Sequence, residues 1–351
     1  MLDRLSAIRS FGPKALIGLL AVVALSTAAC GSTTSSPPAS NTATTSPLTA
    51  CTVSSSDIVP TTSSKGTSPA APGVSGKLAM DGSTALAPLF QQAATEFQTA
   101  NSSVQITITP NGSGTGLKDV AAGAVSIGMS DVFASEKLTA AQAATLTDHQ
   151  VGAVVFTLVT NTDLKGKVGN LSTDQIVKIY TGGYTNWSQL GGPNEAITVI
   201  NRPTTSGTRA TFKKYVLNGT AETAGTTLTQ ETTGAVLQAI KGTPGSIGYV
   251  SLSFVAGNAA DVSPICIDGY KATAADVNSG NYKFWGIEHA YTKGAAAGNA
   301  KAFLQYIVSD QIQKNDLLAL AYLPLTSVAA SAISAHTVSG APTPEQLTPL
   351  S

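Results

Sequence analysis

The chain has 351 residues, a formal net charge of zero and only 11% charged residues. This length allows two lobes with their own hydrophobic cores. The balanced charge, without a basic stripe or basic tail, argues against nucleic acid as a partner. The apolar content of 42%, with abundant Gly, Ala, Ser and Thr, fits a globular α/β protein.

Residues 1–29 have the pattern of a secretory signal peptide. Basic residues precede an apolar run, 15–29, which is shorter than the ~20 residues that a membrane-spanning helix needs. Cys30 directly follows small residues, as in bacterial lipoprotein signals, so we expect it to become the lipidated first residue. Thr27 stands where such signals usually carry leucine, and simple secretion is the alternative if Cys30 is not acylated.

Residues 30–76 are predicted to form a disordered tether. From residue 31 to about 75 the chain is rich in Ser, Thr, Pro and Ala, and such a stretch buries too little apolar surface to offset its chain entropy. If Cys30 is acylated, Cys51 and Cys266 remain as an even pair in an oxidising compartment. They could form a disulfide that ties the tether to the folded body, or stay as two free thiols, because sequence gives no Cα distance.

The folded body is predicted to begin at Lys77 with repeated units of strand, polar turn and helix. The apolar pattern indicates strands at 77–80, 104–109 and 126–129, with helices between them. A capping box, Ser172 with Gln175, predicts the start of a helix that runs to Tyr180. Repeated units of this kind predict a largely parallel sheet with ligands at the carboxyl ends of its strands.

An apolar strand at Gly152–Thr160 is a plausible crossing into a second lobe. We therefore predict that residues 77–157 and 263–335 form the first lobe and residues 158–262 the second. The return to the first lobe is placed at Ile265–Ile267. Residues 336–351 are polar and Pro-containing, which indicates a loose tail.

Polar turns of one style recur along the chain at strand ends. They are Gly82-Ser83-Thr84, Gly112-Ser113-Gly114-Thr115-Gly116, Ser130-Asp131, and Arg202 with Ser206-Gly207-Thr208. Three of them open helices, whose unpaired N–H groups and partial positive charge suit an anion. Arg202 adds a planar fork of donors that fits a tetrahedral oxyanion. Each turn taken alone is equally consistent with a tight turn or a helix cap.

Taken together, these motifs resemble the phosphate-binding protein of the bacterial ABC-type phosphate uptake system. The resemblance runs from about Lys77 to Leu325 and rests on these segments, in order: Gly82-Ser-Thr-Ala-Leu, Asn111-Gly-Ser-Gly-Thr-Gly-Leu, Ile127-Gly-Met-Ser-Asp-Val, Leu171-Ser-Thr-Asp-Gln-Ile, Thr185-Asn-Trp, Ile200-Asn-Arg, Ser206-Gly-Thr-Arg209 and Gly248-Tyr-Val. It implies the α/β, two-lobed type II periplasmic-binding-protein fold, each lobe a largely parallel sheet flanked by helices, with inorganic phosphate in the cleft.

The resemblance also implies a set of phosphate-binding residues: Ser83, Thr84, the backbone of Ala85, Ser113, Asp131, Arg202, Ser206, Gly207 and Thr208. In this set Asp131 would accept a hydrogen bond. An ionised carboxylate tolerates a bound anion only if the anion carries a proton to donate. Phosphate keeps a proton at neutral pH and sulfate does not, so Asp131 would reject sulfate.

One position departs from the family pattern. Family members often carry an acidic residue two positions after the arginine, where this chain has Thr204. The missing carboxylate leaves open a second reading, in which the protein binds another, sulfate-like oxyanion. A third reading is a secreted phosphatase-type hydrolase. It lacks sequence support because His149, His289 and His336 all lie outside the motif turns, leaving no evident base for a serine nucleophile.

The remaining expectations concern partners and location. The glycine spacing at 112–116 is not that of a dinucleotide site, and no Cys/His cluster has zinc spacing, so neither a cofactor nor a metal is expected. By resemblance, the protein is not an enzyme but a monomeric binding protein that hands phosphate to a membrane ABC permease. It would sit on the extracytoplasmic face of the bacterial cell membrane, anchored by lipid at Cys30.

Overall fold

We describe a computed structural model of the chain, which covers residues 48–58, 68–225 and 227–350. Its strands are β1 Gly76–Gly82, β2 Val104–Thr109, β3 Ile127–Ser130, β4 Leu146–Asn161, β5 Asn170–Leu171, β6 Thr198–Asn201, β7 Thr227–Thr229, β8 Ser246–Ser251, β9 Val262–Ile267, β10 Trp285–Lys293 and β11 Tyr322–Leu323. Its α-helices are α1 Ser55–Ile58, α2 Ala87–Ala100, α3 Ser113–Ala122, α4 Ala140–Ala143, α5 Thr173–Tyr180, α6 Gly207–Tyr215, α7 Thr233–Gly242, α8 Leu252–Ala256, α9 Ala274–Asn278, α10 Gly298–Ile307, α11 Leu317–Ala319 and α12 Ala330–His336.

The strands form two lobes that share β4. In the first lobe, β1 lies between β2 and β3 and pairs with both in parallel, while β10 and β4 continue the sheet in antiparallel pairs. In the second lobe, β6 lies between β7 and β8 in parallel, and β8 pairs antiparallel with β4. The strands that carry the polar turns are therefore parallel, and their carboxyl ends point to the same edge of each sheet.

Strand β4 is long enough to serve both sheets. Residues 146–155 pair with β10, and residues 156–160 pair with β8. The strand predicted at Gly152–Thr160 lies within β4 and spans the point where the partner changes from β10 to β8. All residues from Val151 to Asn161 are buried, which explains why this segment reads as a nearly continuous apolar run.

Strand β9 differs from its predicted place. Ile265–Ile267 was expected to return the chain to the first lobe, but Leu158–Asn161 of β4 and Asn170–Leu171 of β5 both pair with β9. The return comes only with β10, after Phe284. A short apolar run does not reveal which sheet it joins, because pairing is a tertiary property.

The described parts of the predicted tether are packed rather than loose. Leu48 and Ile58 are buried, and the Leu48 carbonyl accepts hydrogen bonds from the N–H groups of Gly169 and Asn170, both at 2.8 Å. The Sγ atoms of Cys51 and Cys266 are bonded, with the Cα atoms 6.1 Å apart. The tether prediction failed here because a few apolar residues and one covalent bond suffice to order a polar segment. Residues 1–47 and 59–67, including Cys30, lie outside the described residues.

The C-terminal stretch is also attached to the first lobe. The Glu345 N–H donates to the Asp148 carbonyl at 2.8 Å, and the Leu350 N–H donates to the Gln305 carbonyl at 3.1 Å. Leu347 and Leu350 pack on the hydrophobic core. These widely spaced leucines anchor a segment whose overall composition predicted a loose tail.

Helices α4, α5, α6, α7 and α9 each begin at a residue whose side chain caps the first turn. The predicted capping box is confirmed: the Ser172 hydroxyl accepts from the Gln175 N–H at 3.2 Å, and the Gln175 side chain accepts from the Ser172 N–H at 2.8 Å. Within the described part of the chain, no helix combines the length and the apolarity needed to cross a membrane.

Candidate functional site

The turn after β1 is bound to the turn after β3. Gly82 has a φ of 127°, and a Cβ atom there would lie 2.1 Å from the Met129 carbonyl oxygen, so only glycine fits. The next residue, Ser83, donates its hydroxyl proton to Asp131. The Ser83 Oγ also accepts from the N–H groups of Ala85, at 3.1 Å, and Leu86, at 2.9 Å. The Ala85 N–H, expected to face the ligand, is thus engaged by Ser83.

The mouth of α3 lies beside Asp131 as well. The Ser113 Oγ accepts from the Asp131 N–H at 3.1 Å, and Ser113 is fully buried. One residue later, the Gly114 N–H donates to the Thr205 carbonyl at 2.8 Å. Because Thr205 belongs to the second lobe, this bond joins the two lobes directly.

The mouth of α6 faces the same carboxylate from the second lobe. Ser206 caps α6, since its Oγ accepts from the Arg209 N–H at 3.1 Å. The Thr208 hydroxyl donates to Asp131 Oδ2 at 2.9 Å. A Cβ atom on Gly207 would lie only 2.2 Å from Ser113 Oγ, so the two helix mouths are in close contact.

Arg202 crosses between the lobes at the end of β6. Its Nη2 donates to Thr84 Oγ1 at 3.1 Å and to the Glu231 carbonyl at 2.9 Å, and its Nη1 donates to Thr233 Oγ1 at 3.3 Å. The side chain is 1% exposed. Its buried Nε has no hydrogen-bond partner among the described residues, so this guanidinium donor is uncommitted within the site.

All nine residues of the predicted set are buried and lie together where the lobes meet. They are Ser83, Thr84, Ala85, Ser113 and Asp131 from the first lobe, and Arg202, Ser206, Gly207 and Thr208 from the second. The lobes are therefore closed on each other in this structure, with the α3 and α6 mouths, Arg202 and Asp131 buried at their interface.

Burial dominates the electrostatics of Asp131 and Arg202 at the interface between the lobes. It raises the pKa of Asp131, against the hydrogen bonds from Ser83 and Thr208 and the positive charges of Arg202 and Lys137, which lower it. Burial likewise lowers the pKa of Arg202, against the carboxylates of Asp131 and Glu231. Charges in such a site interact strongly because water does not screen them.

Sequence reasoning missed three residues next to this site. Thr233, at the start of α7, is fully buried and bonds Thr84 Oγ1 at 2.8 Å. Lys137 donates across the cleft to the carbonyls of Thr204, at 2.8 Å, and Ser206, at 3.2 Å. Glu288 of β10 is buried beside Asp131. Only Thr233 carried a readable signal, because Thr232-Thr233-Gly234 repeats the style of the other helix-opening turns.

Thr204 does not face the arginine. It is exposed, and its carbonyl accepts the bond from Lys137. Arg202 is held instead by the Glu231 carbonyl and by Arg209, whose Nη1 donates to the Arg202 carbonyl. Arg209 in turn pairs with Glu222 at 3.1 Å. Support for the arginine therefore does not depend on a carboxylate at position 204 in this conformation.

The histidines are engaged away from the predicted site. His149 bonds the Thr292 hydroxyl at 2.9 Å, His289 bonds Asp148 at 2.8 Å, and His336 contacts backbone carbonyls. None of these bonds involves a hydroxyl of the predicted set. Among the described residues, no group of three or more His, Cys, Asp and Glu side chains is arranged to hold a metal ion.

Comparisons with known proteins place these features in a family. A model described as a PBP superfamily domain matches residues 66–311. The phosphate-binding protein PstS of Bacillus subtilis is 43% identical over 254 residues, covering 72% of this chain and 82% of that protein. A phosphate ABC transporter substrate-binding protein from Clostridium perfringens, solved with bound phosphate, matches with a TM-score of 0.64 and 28% identity, over 71% of this chain and 99% of its own.

A more distant structure shares the fold alone. The ABC-type phosphate transport receptor from Vibrio cholerae has 22% identity and a TM-score of 0.56, over 70% of this chain and 99% of its own. Together with the matched domain model, these similarities confirm the predicted two-lobed α/β architecture of the type II periplasmic-binding-protein fold. The antiparallel pairs of β4 with β8, β9 and β10 are the part of that architecture that the sequence prediction did not contain.

Proposed function

The chain belongs to the family of PstS phosphate-binding proteins, and from this premise we propose that it captures inorganic phosphate between its lobes and delivers it to an ABC permease. The observation that carries the proposal is the burial of both Asp131 and Arg202 where the lobes meet, beside the N-terminal turns of α3, α6 and α7. Arg202 and the helix N-termini suit the charged oxygens of a partly protonated oxyanion, and Asp131 suits its hydroxyl group.

The donors suit the charged oxygens of phosphate. Arg202 offers a guanidinium whose Nε has no partner among the described residues, and the N-terminal turns of α3, α6 and α7, which favour anions, lie beside Asp131 and Arg202. Closure of the lobes removes the ligand from water, which strengthens each of these bonds. Thr84 and Thr208 place hydroxyls at the site from opposite lobes, where Thr84 bonds Arg202 and Thr208 donates to Asp131.

The acceptor gives selectivity. Asp131 is 4% exposed and is surrounded by hydroxyl donors, so a fully deprotonated oxyanion beside it would meet a repulsive carboxylate with no proton between them. Hydrogen phosphate brings that proton and sulfate does not. A site built to pair with a ligand hydroxyl discriminates by roughly 10⁴-fold or more against an analogue that lacks it.

The test is calorimetric titration of the mature protein, stripped of endogenous ligand, with phosphate and with sulfate at neutral pH. We expect phosphate to bind in the micromolar range or tighter and sulfate to bind at least about 100-fold more weakly. Asp131→Asn should narrow the difference in affinity between phosphate and sulfate. Asp163→Asn, at an exposed position of the second lobe, should leave this difference unchanged. The proposal fails if the stripped protein does not bind phosphate, and tight sulfate binding would favour the other-oxyanion reading.

A hydrolase reading has less support. The relatives are named as binding proteins, in agreement with the prediction that this protein is not an enzyme. The histidine contacts described above supply no base to Ser206. Turnover of a phosphate ester that disappears in a Ser206→Ala variant would be the result that revives this reading.

We further propose that the protein is a monomer held at the extracytoplasmic face of the cell membrane by a lipid on Cys30. The lipid anchor rests on the signal pattern of residues 1–29, and the location rests on the name of the similar Clostridium perfringens protein, which refers to an ABC transporter. Replacing Cys30 by Ser should move the protein from the membrane fraction into the medium or periplasm. Unchanged membrane association of the Cys30→Ser variant would contradict the lipid anchor.

A further inference from the structure

Glu288 is a buried carboxyl group outside the predicted binding set. It lies on β10, has no exposed surface, and neither of its carboxyl oxygens has a hydrogen-bond donor facing it among the described residues. An ionised carboxylate in such a place would be strongly destabilising. A protonated carboxyl group avoids this cost and also supplies one O–H donor.

The sheet directs Glu288 toward Asp131. Strand β10 runs antiparallel to β3, with His289 opposite Ser130. Continuing this register by one residue places Glu288, before His289, opposite Asp131, after Ser130. Gly286, two positions earlier and on the same face of β10, supports this arrangement. A Cβ atom on Gly286 would lie 3.1 Å from the Asp131 carbonyl oxygen.

The two carboxyl groups have different surroundings. Burial raises the pKa of Asp131, but the hydroxyls of Ser83 and Thr208, which donate to its oxygens, and the positive charges of Arg202 and Lys137 oppose that rise. For Glu288, burial and then the neighbouring Asp131 both raise the pKa, and no cation among the described residues opposes them. These surroundings favour a shared proton on Glu288 rather than on Asp131.

One other titratable group faces the pair. Tyr322 of β11 donates its hydroxyl proton to the Ala85 carbonyl, so that proton is not directed at Glu288. Burial raises the pKa of Tyr322, and its acidic neighbours act in the same direction. Tyr322 is therefore a neutral phenol that brings no positive charge to the pair.

We propose that Glu288 is a positioning residue for the ligand: it remains protonated and donates its carboxyl proton to Asp131, which keeps Asp131 an ionised acceptor facing the cleft. This inference rests on the proposed function, because it assigns Asp131 to a ligand hydroxyl. Without the donor, the buried Asp131 would take up a proton more readily and would then donate to sulfate as well as to phosphate.

Two variants separate this role from simple packing. Glu288→Gln keeps an N–H donor for Asp131 but cannot ionise, so phosphate affinity at neutral pH should stay within about threefold of wild type. As the pH rises, wild-type affinity should fall when Glu288 loses its proton, and the Gln variant should lack this fall. Glu288→Met fills the space without a donor, and its affinity for phosphate relative to sulfate should drop by about tenfold at neutral pH. As the pH falls, the remaining preference for phosphate should disappear at a higher pH than in wild type, because Asp131 takes up a proton more readily.

The experiment combines phosphate and sulfate titrations across pH with infrared difference spectroscopy of wild type minus Glu288→Gln. We expect a protonated-carboxyl band at neutral pH that is present with or without phosphate. Absence of that band, or identical pH profiles of wild type and Glu288→Gln, would overturn the inference while leaving phosphate binding intact. Failure of the wild type to bind phosphate would instead overturn the proposed function, and the positioning role with it. Thermal unfolding verifies that each variant is folded.

Discussion

The close contact of Gly207 with the opposite lobe offers a direct test of lobe closure. A Cβ atom at Gly207 would lie 2.2 Å from Ser113 Oγ, 2.9 Å from Ser113 Cβ and 3.0 Å from Asp131 Cβ. Rotating the Ser113 hydroxyl away would sacrifice its bond to the Asp131 N–H and would still leave the two carbon contacts. The Gly207→Ala variant must therefore open the cleft by about 1 Å or distort Asp131.

The expected magnitude follows from the size of that overlap. Inserting a methyl group into a packed interface costs roughly 1–3 kcal/mol, which corresponds to about 5- to 150-fold weaker binding. The cost applies to the closed state alone, so stability of the ligand-free protein should change by less than about 0.5 kcal/mol. Gly114→Ala, whose Cβ would lie 3.1 Å from the Thr205 carbonyl oxygen, should show a smaller loss in the same direction.

The assay is calorimetric titration with phosphate, accompanied by small-angle scattering to detect closure. Gly257→Ala is the matched control, because Gly257 lies in the second lobe at a helical φ of −78° with no atom within 4 Å of its would-be Cβ. If Gly207→Ala binds phosphate as tightly as the wild type and closes to the same extent, the contact between the α3 and α6 mouths is not part of the bound state and the reasoning is refuted.

Three other predictions concern the arginine, the disulfide and a buried histidine. Arg202→Lys should weaken phosphate binding by about tenfold or more, because lysine lacks the fork that reaches Thr84 and the ligand together; titration measures it, and equal affinity would contradict it. Replacing Cys51 and Cys266 by Ser opens a 215-residue loop and should cost about 2–5 kcal/mol in urea unfolding, with phosphate affinity unchanged; unchanged stability would contradict it. Burial lowers the pKa of His336 to about 4. Because His336 binds a proton at a higher pH in the unfolded chain than in the folded protein, the free energy of unfolding should fall by up to about 3 kcal/mol as the pH is lowered from about 6.5 to about 4. His336→Gln should show a shallower fall, and an equal fall would contradict the assignment.

The local part of the structure could be predicted because its causes are local. The Ser172 and Gln175 pair defines a helix start by itself, and Gly82 marks a turn that only glycine can make. The nine residues of the predicted site share this property, since each lies in a turn whose strand and helix are readable from a short window. Their convergence follows from the parallel strands, which end at one edge of each sheet.

Other features could not be predicted, because they depend on pairs of residues far apart in the chain. Ile265–Ile267 reads as a strand, but its place in the second lobe is decided by β4 and β5. Leu48 and Leu347 stand in polar stretches, and only the surfaces against which they pack make them ordered. Composition averaged over such stretches hides the few apolar side chains that attach them.

The sequence by itself determined the fold class, the strands and helices that flank the polar turns, and the donors and the acceptor that could meet an oxyanion, because periodicity, caps and turn residues act over a few positions. Tertiary structure alone decided that Lys137 bridges to the second lobe, that Thr233 joins Arg202, and that Glu288 lies beside Asp131. These contacts need the two sheets to be assembled first, and their energies come from burial, which no short window of residues reports.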